Sequence, residues 1–581
     1  MQHTIKHTFL LERLIELFHK DTLDSYRVRI HNTNSLLKEL KTLIIGFNQN
    51  RVQRFETVKL CAEELKSSIQ SDEFLDMDNY SKELFIEDVD ILIKSSGKDV
   101  DLFQYIFILE KLIQKNKESY LQVLFEQVES LVFDEIDFTE EDFIPVIGKI
   151  DKIVSILASE LINIGYSKSY IFYVLNVIKN KPFHEFKDNF EKFRDTVLDR
   201  NYIDFCVIFK IYLYKEENSV AFVSEFTDKI PDELLSEKLT KKYPKFINTA
   251  NASKLVFYSV KALDSYNAIR KSKVMLSELF DKIHVGYNSL DVNVHSQALV
   301  IDKNDTGKVY LLPTNYSFDG IFESNEDLYN KYNALLETIK NNSNIEQDVK
   351  DRIYSALRYL RLGNNTVEIE QKFIDYWIAL EFLFSSPIKE QNTYGRLKEN
   401  MINILACGYV KRNLLFLNQA LFKTDLIAAD QLFWKLSDPE LDAIRDSNII
   451  PPLLRYRFQR TKSNILSNSD KRKKYTIAHI NNLNQNLSRI YHLRNELIHE
   501  AALKQDIENI TSNLRYYLVF VLNQMLVYFS NLSNSTTDEQ KTYSMDDLFY
   551  EFKVWKRSIE KNYDKDIIMS VPIEIDLINK K

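Results

Sequence analysis

Glycine is nearly missing from this chain, with ten among 581 residues, about 2% against an average near 7%. Tight turns with positive φ depend on glycine, so few such turns are available. Long helices joined by short polar connections are therefore favoured over a many-stranded sheet. The fold class this predicts is mainly α. A hydrophobic content of 45% is ample for large cores, and the length allows about two to four domains.

Apolar residues recur at three- and four-residue spacing in segments 8–19, 54–69, 101–115 and 252–271, so residues 1–283 read as a helical array that would serve as a sensor or regulatory region. Thr139, Glu140, Glu141 and Asp142 have the form of a capping box. The pattern changes across 284–324. Residues 292–302 alternate and are rich in β-branched types, KNDTG reads as a turn, and KVYLLP supplies a second strand. This β-hairpin junction precedes a helical region over 325–531. A polar linker over 530–544 then opens a tail, within 532–581, that holds an amphipathic helix near 545–561 and a strand-like IIMSVPIEI end.

The net charge of −8 argues against a protein coated along its whole length by nucleic acid. Cys61, Cys206 and Cys407 are odd in number and far apart, which suits a reducing cytoplasm. The opening MQHTIKHTFLLERLIELFHK carries charge through its apolar positions and does not read as a signal peptide. The apolar stretch 516–529 is too short to span a bilayer, so no membrane association is expected. No phosphate loop, dinucleotide fingerprint, HExxH, paired CxxC or EF-hand is present, and the sequence supports neither a metal nor a cofactor.

The most informative helix covers 477–499. Ile477, Ile480, Leu483, Leu487, Ile490, Leu493 and Leu497 form one apolar stripe. With the stripe near ~20° on a helical wheel, Arg494 falls near ~100°, Tyr491 near ~160°, Asn495 near ~200° and His499 near ~240°. All four then turn away from the core, with His492 close by, and Ile498 in the same arc suggests a partner surface. A fixed cation, an amide, a phenol and an imidazole together suit RNA cleavage by the 2′-hydroxyl. His499 would move the proton, and Arg494 would stabilise the phosphorane-like charge. DNA, lacking that hydroxyl, would be spared.

The run YHLRNELIHE (491–500) resembles the RxxxxH signature of HEPN ribonucleases. Upstream, KFIDYWIALEFLF (372–384) resembles the W-x-ALE-x-L helix of the Apea-like branch, and NTYGRLKENMINIL (392–405) follows in the expected place. The resemblance covers about 325–531. It implies a four- or five-helix HEPN-type bundle that dimerises, so that two motifs face each other in one composite site. It also implies Arg494 and His499 as the catalytic pair with Asn495 beside them. One chain carries one motif, so a homodimer is expected. Glu381 lies beside the apolar face of its helix and must be partnered when partly buried. Arg494 is one candidate partner, and a cap or pair within its own bundle is the other. The Tyr that some related toxins carry two residues after the His is absent, because Glu500 and Ala501 follow His499.

Residues 455–474 hold eight basic residues and one acid, Asp470. Arg455, Arg457 and Arg460 alternate with Tyr456 and Phe458, and Lys473 and Lys474 follow. The composition suits phosphate contacts and base stacking, or else a solvated loop. The leading expectation is a metal-independent endoribonuclease acting on RNA such as tRNA, the effector of a bacterial antiviral or toxin system with an unknown protein or phage-derived trigger. The alternatives are an inactive HEPN dimerisation or RNA-binding module, and a helical interaction scaffold for which the bundle is a dimer handle.

Overall fold

In the computed structural model the described residues are all but 1, 24–25, 28–29, 135–140, 214–222, 249–252, 286–291, 316–325, 386–392, 500–506, 533–541 and 575–581. The chain is mainly α and divides into two compact units. The first comprises Met1–Glu16, Lys20–Val154 and Phe318–Lys581, and the second Leu17–His19 and Ser155–Ser317.

The first unit opens with α1 (Gln2–Phe18), α2 (Thr33–Asn48), α3 (Phe55–Ser71) and α4 (Asn79–Lys94). It continues through α5 (Leu102–Asn116), α6 (Ser119–Phe133) and the first half of α7 (Phe143–Asn163). Local chemistry sets the start of α2. Asn32 Oδ1 accepts from the Ser35 amide and Ser35 Oγ accepts from the Asn32 amide, both at 2.9 Å, so two otherwise orphaned donors are satisfied. Thr139 and Glu140 of the expected capping box lie outside the described residues, and α7 begins at Phe143.

The second unit holds α8 (Lys168–Lys179), α9 (Phe186–Asp199), β1 (Ile203–Leu213), α10 (Glu237–Lys242) and α11 (Pro244–Ile247). β2 (Ser253–Ala262), α12 (Ser265–Ile283), β3 (Val292–Asp302) and β4 (Val309–Pro313) complete it. The four strands form one antiparallel sheet in the order β2-β1-β3-β4. The expected hairpin is present as β3 and β4. Its turn is closed by the Asp302 amide on the Lys308 carbonyl at 3.1 Å and the Lys308 amide on the Asp305 carbonyl at 2.8 Å.

β1 and β2 correct the helix-only reading of 1–283, and of 252–271 in particular. β1 is central and buried on both faces. Phe205, Val207 and Phe209 pack with Ala268, Ile269 and Leu276, while Cys206 and Ile208 pack with Leu239 and Phe246. A strand buried on both sides shows no two-residue alternation, so its apolar run cannot be told from a helix by period. The 252–271 window joins β2 to the first turns of α12. Lys210, at the register shift between β1 and β3, is also buried. Its ammonium donates to the carbonyls of Lys245 and Phe246 at 3.2 Å and of Asn248 at 2.8 Å, closing the end of α11.

The first unit resumes with α13 (Glu326–Asn341), α14 (Gln347–Asn365), α15 (Ile369–Phe384) and α16 (Thr393–Lys423). α17 (Asp438–Arg445), α18 (Pro452–Thr461), α19 (Ser469–His499), α20 (Glu508–Ser530), α21 (Met545–Asn562) and α22 (Lys565–Ser570) follow. The amphipathic helix expected near 545–561 is α21. The strand-like end is corrected, since its first residues, Ile567 to Ser570, close α22. α15 packs on α14 and α20, α16 on α19 and α21, and α3 on α19. The division also differs from a break near 283, because the helices up to Val154 cluster with the C-terminal ones. No helix of the described residues is long and apolar enough to cross a membrane.

Two of the scarce glycines show why a side chain is excluded, one by backbone conformation and one by packing. Gly165 follows α7 with φ +107° and donates to the Ile162 carbonyl at 3.0 Å, a left-handed helix stop. Gly363 on α14 lets the Tyr376 ring of α15 approach so closely that an added Cβ would lie 2.5 Å from a ring carbon. Gly148 instead has its nearest neighbour, Tyr456 Oη, at 3.6 Å from such a Cβ. Gly363→Ala is therefore expected to destabilise by about 1–3 kcal/mol, whereas Gly148→Ala should be neutral or gain up to about 1 kcal/mol. Urea denaturation followed by far-UV circular dichroism measures both.

Candidate functional site

α19 is a 31-residue helix with no glycine or proline. Its first turn is held by Asn468 Oδ1, which accepts from the amides of Asp470 at 2.7 Å and Lys471 at 3.1 Å. A five-residue π turn over Lys462–Leu466 separates it from α18. Leu483, Leu487, Ile490, Leu493 and Leu497 are buried as the stripe requires. Ile480 is half-buried and Ile477 is 39% exposed, because the buried face of the first turns is carried by the polar Arg472, Thr476 and His479 instead.

Arg494 lies on the flank facing α15. Its Nη2 is 3.4 Å from Glu381 Oε1, and Nη1 donates to Asn495 Oδ1 at 3.3 Å. Of the two partners left open for Glu381, Arg494 is the one it contacts. The contact involves one guanidinium nitrogen, is long for an ion pair, and joins two side chains that remain 23% and 34% exposed. Such a pair orients the guanidinium without neutralising it, and its worth in stability is at most about 1 kcal/mol. The backbone of His499 ends α19, and its side chain lies outside the described residues, as do Glu500 and Ala501. Five residues along a helix, the backbone positions of Arg494 and His499 are about 7.5 Å apart in rise.

Tyr491 is not turned to open space. Its ring stacks on Tyr394 of α16 at 3.8 Å, lies 6.0 Å from Trp377 of α15, and is covered by the Arg54 guanidinium at 5.6 Å. Burial pushes the Tyr394 hydroxyl up to about 12, a shift that Ser488 opposes by hydrogen bonding. Tyr491 is thus a packing residue that joins three segments. His492 Nε2 lies 3.7 Å from Glu496, and Ile498 is 43% exposed.

The basic segment is used differently from a single RNA track. Tyr456 and Phe458 are 6% and 0% exposed, so neither offers a face for base stacking, which corrects that expectation. Arg455 lies over the Phe143 ring at 4.7 Å. Arg457 pairs with Glu16 and lies over Tyr26 at 3.6 Å. Arg460 reaches Asp151 at 3.1 Å. Lys473 and Lys474 are exposed on the first turns of α19. Arg472 is buried between them and the π turn, donating to the carbonyls of Tyr563 and Ile465.

The strongest contact on α19 has no sequence signal. Arg489 Nε and Nη2 each lie 2.7 Å from the two carboxylate oxygens of Glu39 on α2, and Nη2 also lies 2.6 Å from Glu64 on α3. Three ordinary surface-type residues, hundreds of positions apart, cannot be matched by local spacing. The N-terminal helices are therefore fastened to the flank of the motif helix within one chain. Burial alone would raise the Glu39 carboxyl, but Arg489 and then His31 hold it down at about 2. His31 is pushed down to about 4 by burial; Glu39 opposes the shift and Arg489 adds to it. No protein-family model, curated protein or solved structure matches this chain.

These two groups give a signed pH dependence. An unfolded His31 takes a proton below its ordinary value of 6.5 while the folded one stays neutral down to about 4, so stability falls as pH drops through that window. The loss is on the order of 2–3 kcal/mol. Glu39, depressed from 4.5 to about 2, extends the loss as pH falls through that lower range. Denaturant midpoints across pH 7 to 4 should decline in the wild type and flatten in His31→Gln. Arg489→Leu, which strands two carboxylates, should cost about 3–5 kcal/mol at pH 7.

Proposed function

We propose that the chain is a metal-independent endoribonuclease of HEPN type, with Arg494 and His499 as its catalytic pair and a second copy completing the site. The observation that carries this reading is the state of Arg494. Glu381 and Asn495 hold its guanidinium through two long contacts, one carboxylate at 3.4 Å and one amide oxygen at 3.3 Å. On the same helix, Arg489 is enclosed by two carboxylates and has no charge to spare. A guanidinium that is oriented but not neutralised suits the charge that develops on a phosphate under attack.

In the proposed reaction the 2′-oxygen attacks the adjacent phosphorus, and the bond to the 5′-oxygen breaks. His499 takes the 2′-OH proton or delivers one to the leaving oxygen, and the second function falls to the partner copy. The products are a 2′,3′-cyclic phosphate and a 5′-hydroxyl, and no cofactor enters. The expected substrate is cellular RNA such as tRNA in a bacterial cytoplasm, cut as the effector step of an antiviral or toxin system. The packing of α2 and α3 on α19 supports a restraining role for the N-terminal helices, released by a protein or phage-derived trigger.

His499→Ala and Arg494→Ala should each lower single-turnover RNA cleavage by about 10²-fold or more while the dimer persists in size-exclusion chromatography. Glu381→Gln, which keeps the shape but loosens the guanidinium, should cost about tenfold. Cleavage unaffected by either alanine would show that the site is elsewhere, and a stable dimer that binds RNA but never cuts it would favour the binding-module reading.

A further inference from the structure

A second feature of the first unit stands apart from residues 494–499. Arg13, Arg27, Arg457, Arg460 and Arg489 line one cavity of about 290 Å³. Two carboxylates line it with them, Glu64 and Asp151. Guanidiniums gathered around a small volume repel one another, so something must hold them there. Glu16 and Glu39, which are not among the lining residues, supply part of that hold. Glu16 pairs with Arg13 at 2.8 Å and with Arg457, and Glu39 grips Arg489. Asp151 fixes the other side of Arg13 at 2.6 Å. Arg27 is set by the Thr22 carbonyl at 2.9 Å, the Asn513 side chain at 3.4 Å and the Tyr516 ring at 4.3 Å. The cation set is therefore prearranged, and the lining keeps an excess of positive charge.

The rest of the lining is equally selective. The half-buried Tyr26, with the Arg457 guanidinium over its ring at 3.6 Å, and the half-buried Tyr475 bring aromatic rings to the lining, whereas Tyr409 is covered by His479 at 3.6 Å and 4°. Asn464, Asn482 and Asn486 add amides that can both donate and accept. An apolar ligand would strand these polar groups. A metal cation would meet guanidiniums that outnumber the carboxylates holding them. Inorganic phosphate would satisfy the arginines but leave the rings and amides unused. A phosphate joined to a flat, hydrogen-bonding ring uses all three, and the volume lies at the small end of ligand cavities.

We propose that this cavity binds a free mononucleotide, its phosphate among the arginines and its base against the tyrosine and asparagine surface. Arg489 links the cavity wall to α2 and α3, so bound nucleotide would bear on the contact that fastens them to α19. The binding claim itself does not depend on ribonuclease activity.

Isothermal titration of the full-length protein with the four ribonucleoside 5′-monophosphates tests it, with inorganic phosphate and the parent nucleosides as controls. At least one nucleotide should bind with Kd below about 1 mM, and about tenfold or more tighter than either control. Ala478 lines the cavity from an exposed position of α19, so Ala478→Phe should fill it without disturbing the core. Both Ala478→Phe and Arg27→Gln should weaken binding by about tenfold or more, with the circular dichroism of Ala478→Phe unchanged. The assignment is overturned if no nucleotide saturates, if phosphate alone binds as tightly, or if affinity survives Ala478→Phe. Affinity undiminished in Arg27→Gln would refute cationic recognition. Tighter binding of a short RNA than of its own mononucleotide, blocked by the same variants, would overturn the free-nucleotide claim in favour of an RNA end.

Discussion

One guanidinium organises the first unit. Arg489 receives Glu39 from α2 and Glu64 from α3 at 2.6–2.7 Å, all three side chains being largely buried. Removing Arg489 would leave two carboxylates together in a poorly solvated place, so the hold of both helices on α19 depends on that one cation. Because Arg489 sits on α19, the contact ties α2 and α3 to the C-terminal helices of the same unit. The buried His31 beside Glu39 extends the network and makes it sensitive to acid.

Five residues further along, the same helix presents a second arginine in the opposite condition. Arg494 is held at arm's length by Glu381 and steadied by its neighbour Asn495. Between the two, Tyr491 locks the helix against Tyr394 and Trp377 under the cover of Arg54. A helix anchored this firmly along its length can hold a partly exposed cation with little freedom, and electrostatic assistance to a reaction depends on that rigidity. The N-terminal helices thus grip the motif helix at Arg489 without contributing a residue to the proposed chemistry.

Much of this was legible in the sequence. Scarce glycine pointed to helices, and the KNDTG turn marked β3 and β4. The spacing of Leu483, Leu487, Ile490, Leu493 and Leu497 placed the core face of α19, which in turn placed Arg494 on its flank. Glu381 could be expected to need a partner, and Arg494 is that partner. What was hidden follows from two physical causes. β1 is buried on both faces and so has no alternation to detect. Contacts of long sequence separation leave no local trace, which is why Arg489 with Glu39 and Glu64 went unseen. For the same reason nothing local showed that Glu16 and Asp151 gather Arg457 and Arg460 at the wall of one cavity.

The central claim is that the flank of α19 serves RNA cleavage through the 2′-hydroxyl. The most direct measurement gives the purified protein an RNA cut at a mapped position and the same RNA with that one 2′-hydroxyl replaced by hydrogen, in buffer containing EDTA. The account predicts a 2′,3′-cyclic phosphate and a 5′-hydroxyl on the unmodified strand, and no cut at that position in the deoxy-substituted one. Cleavage of the substituted strand at that position, or products bearing a 5′-phosphate, would contradict it.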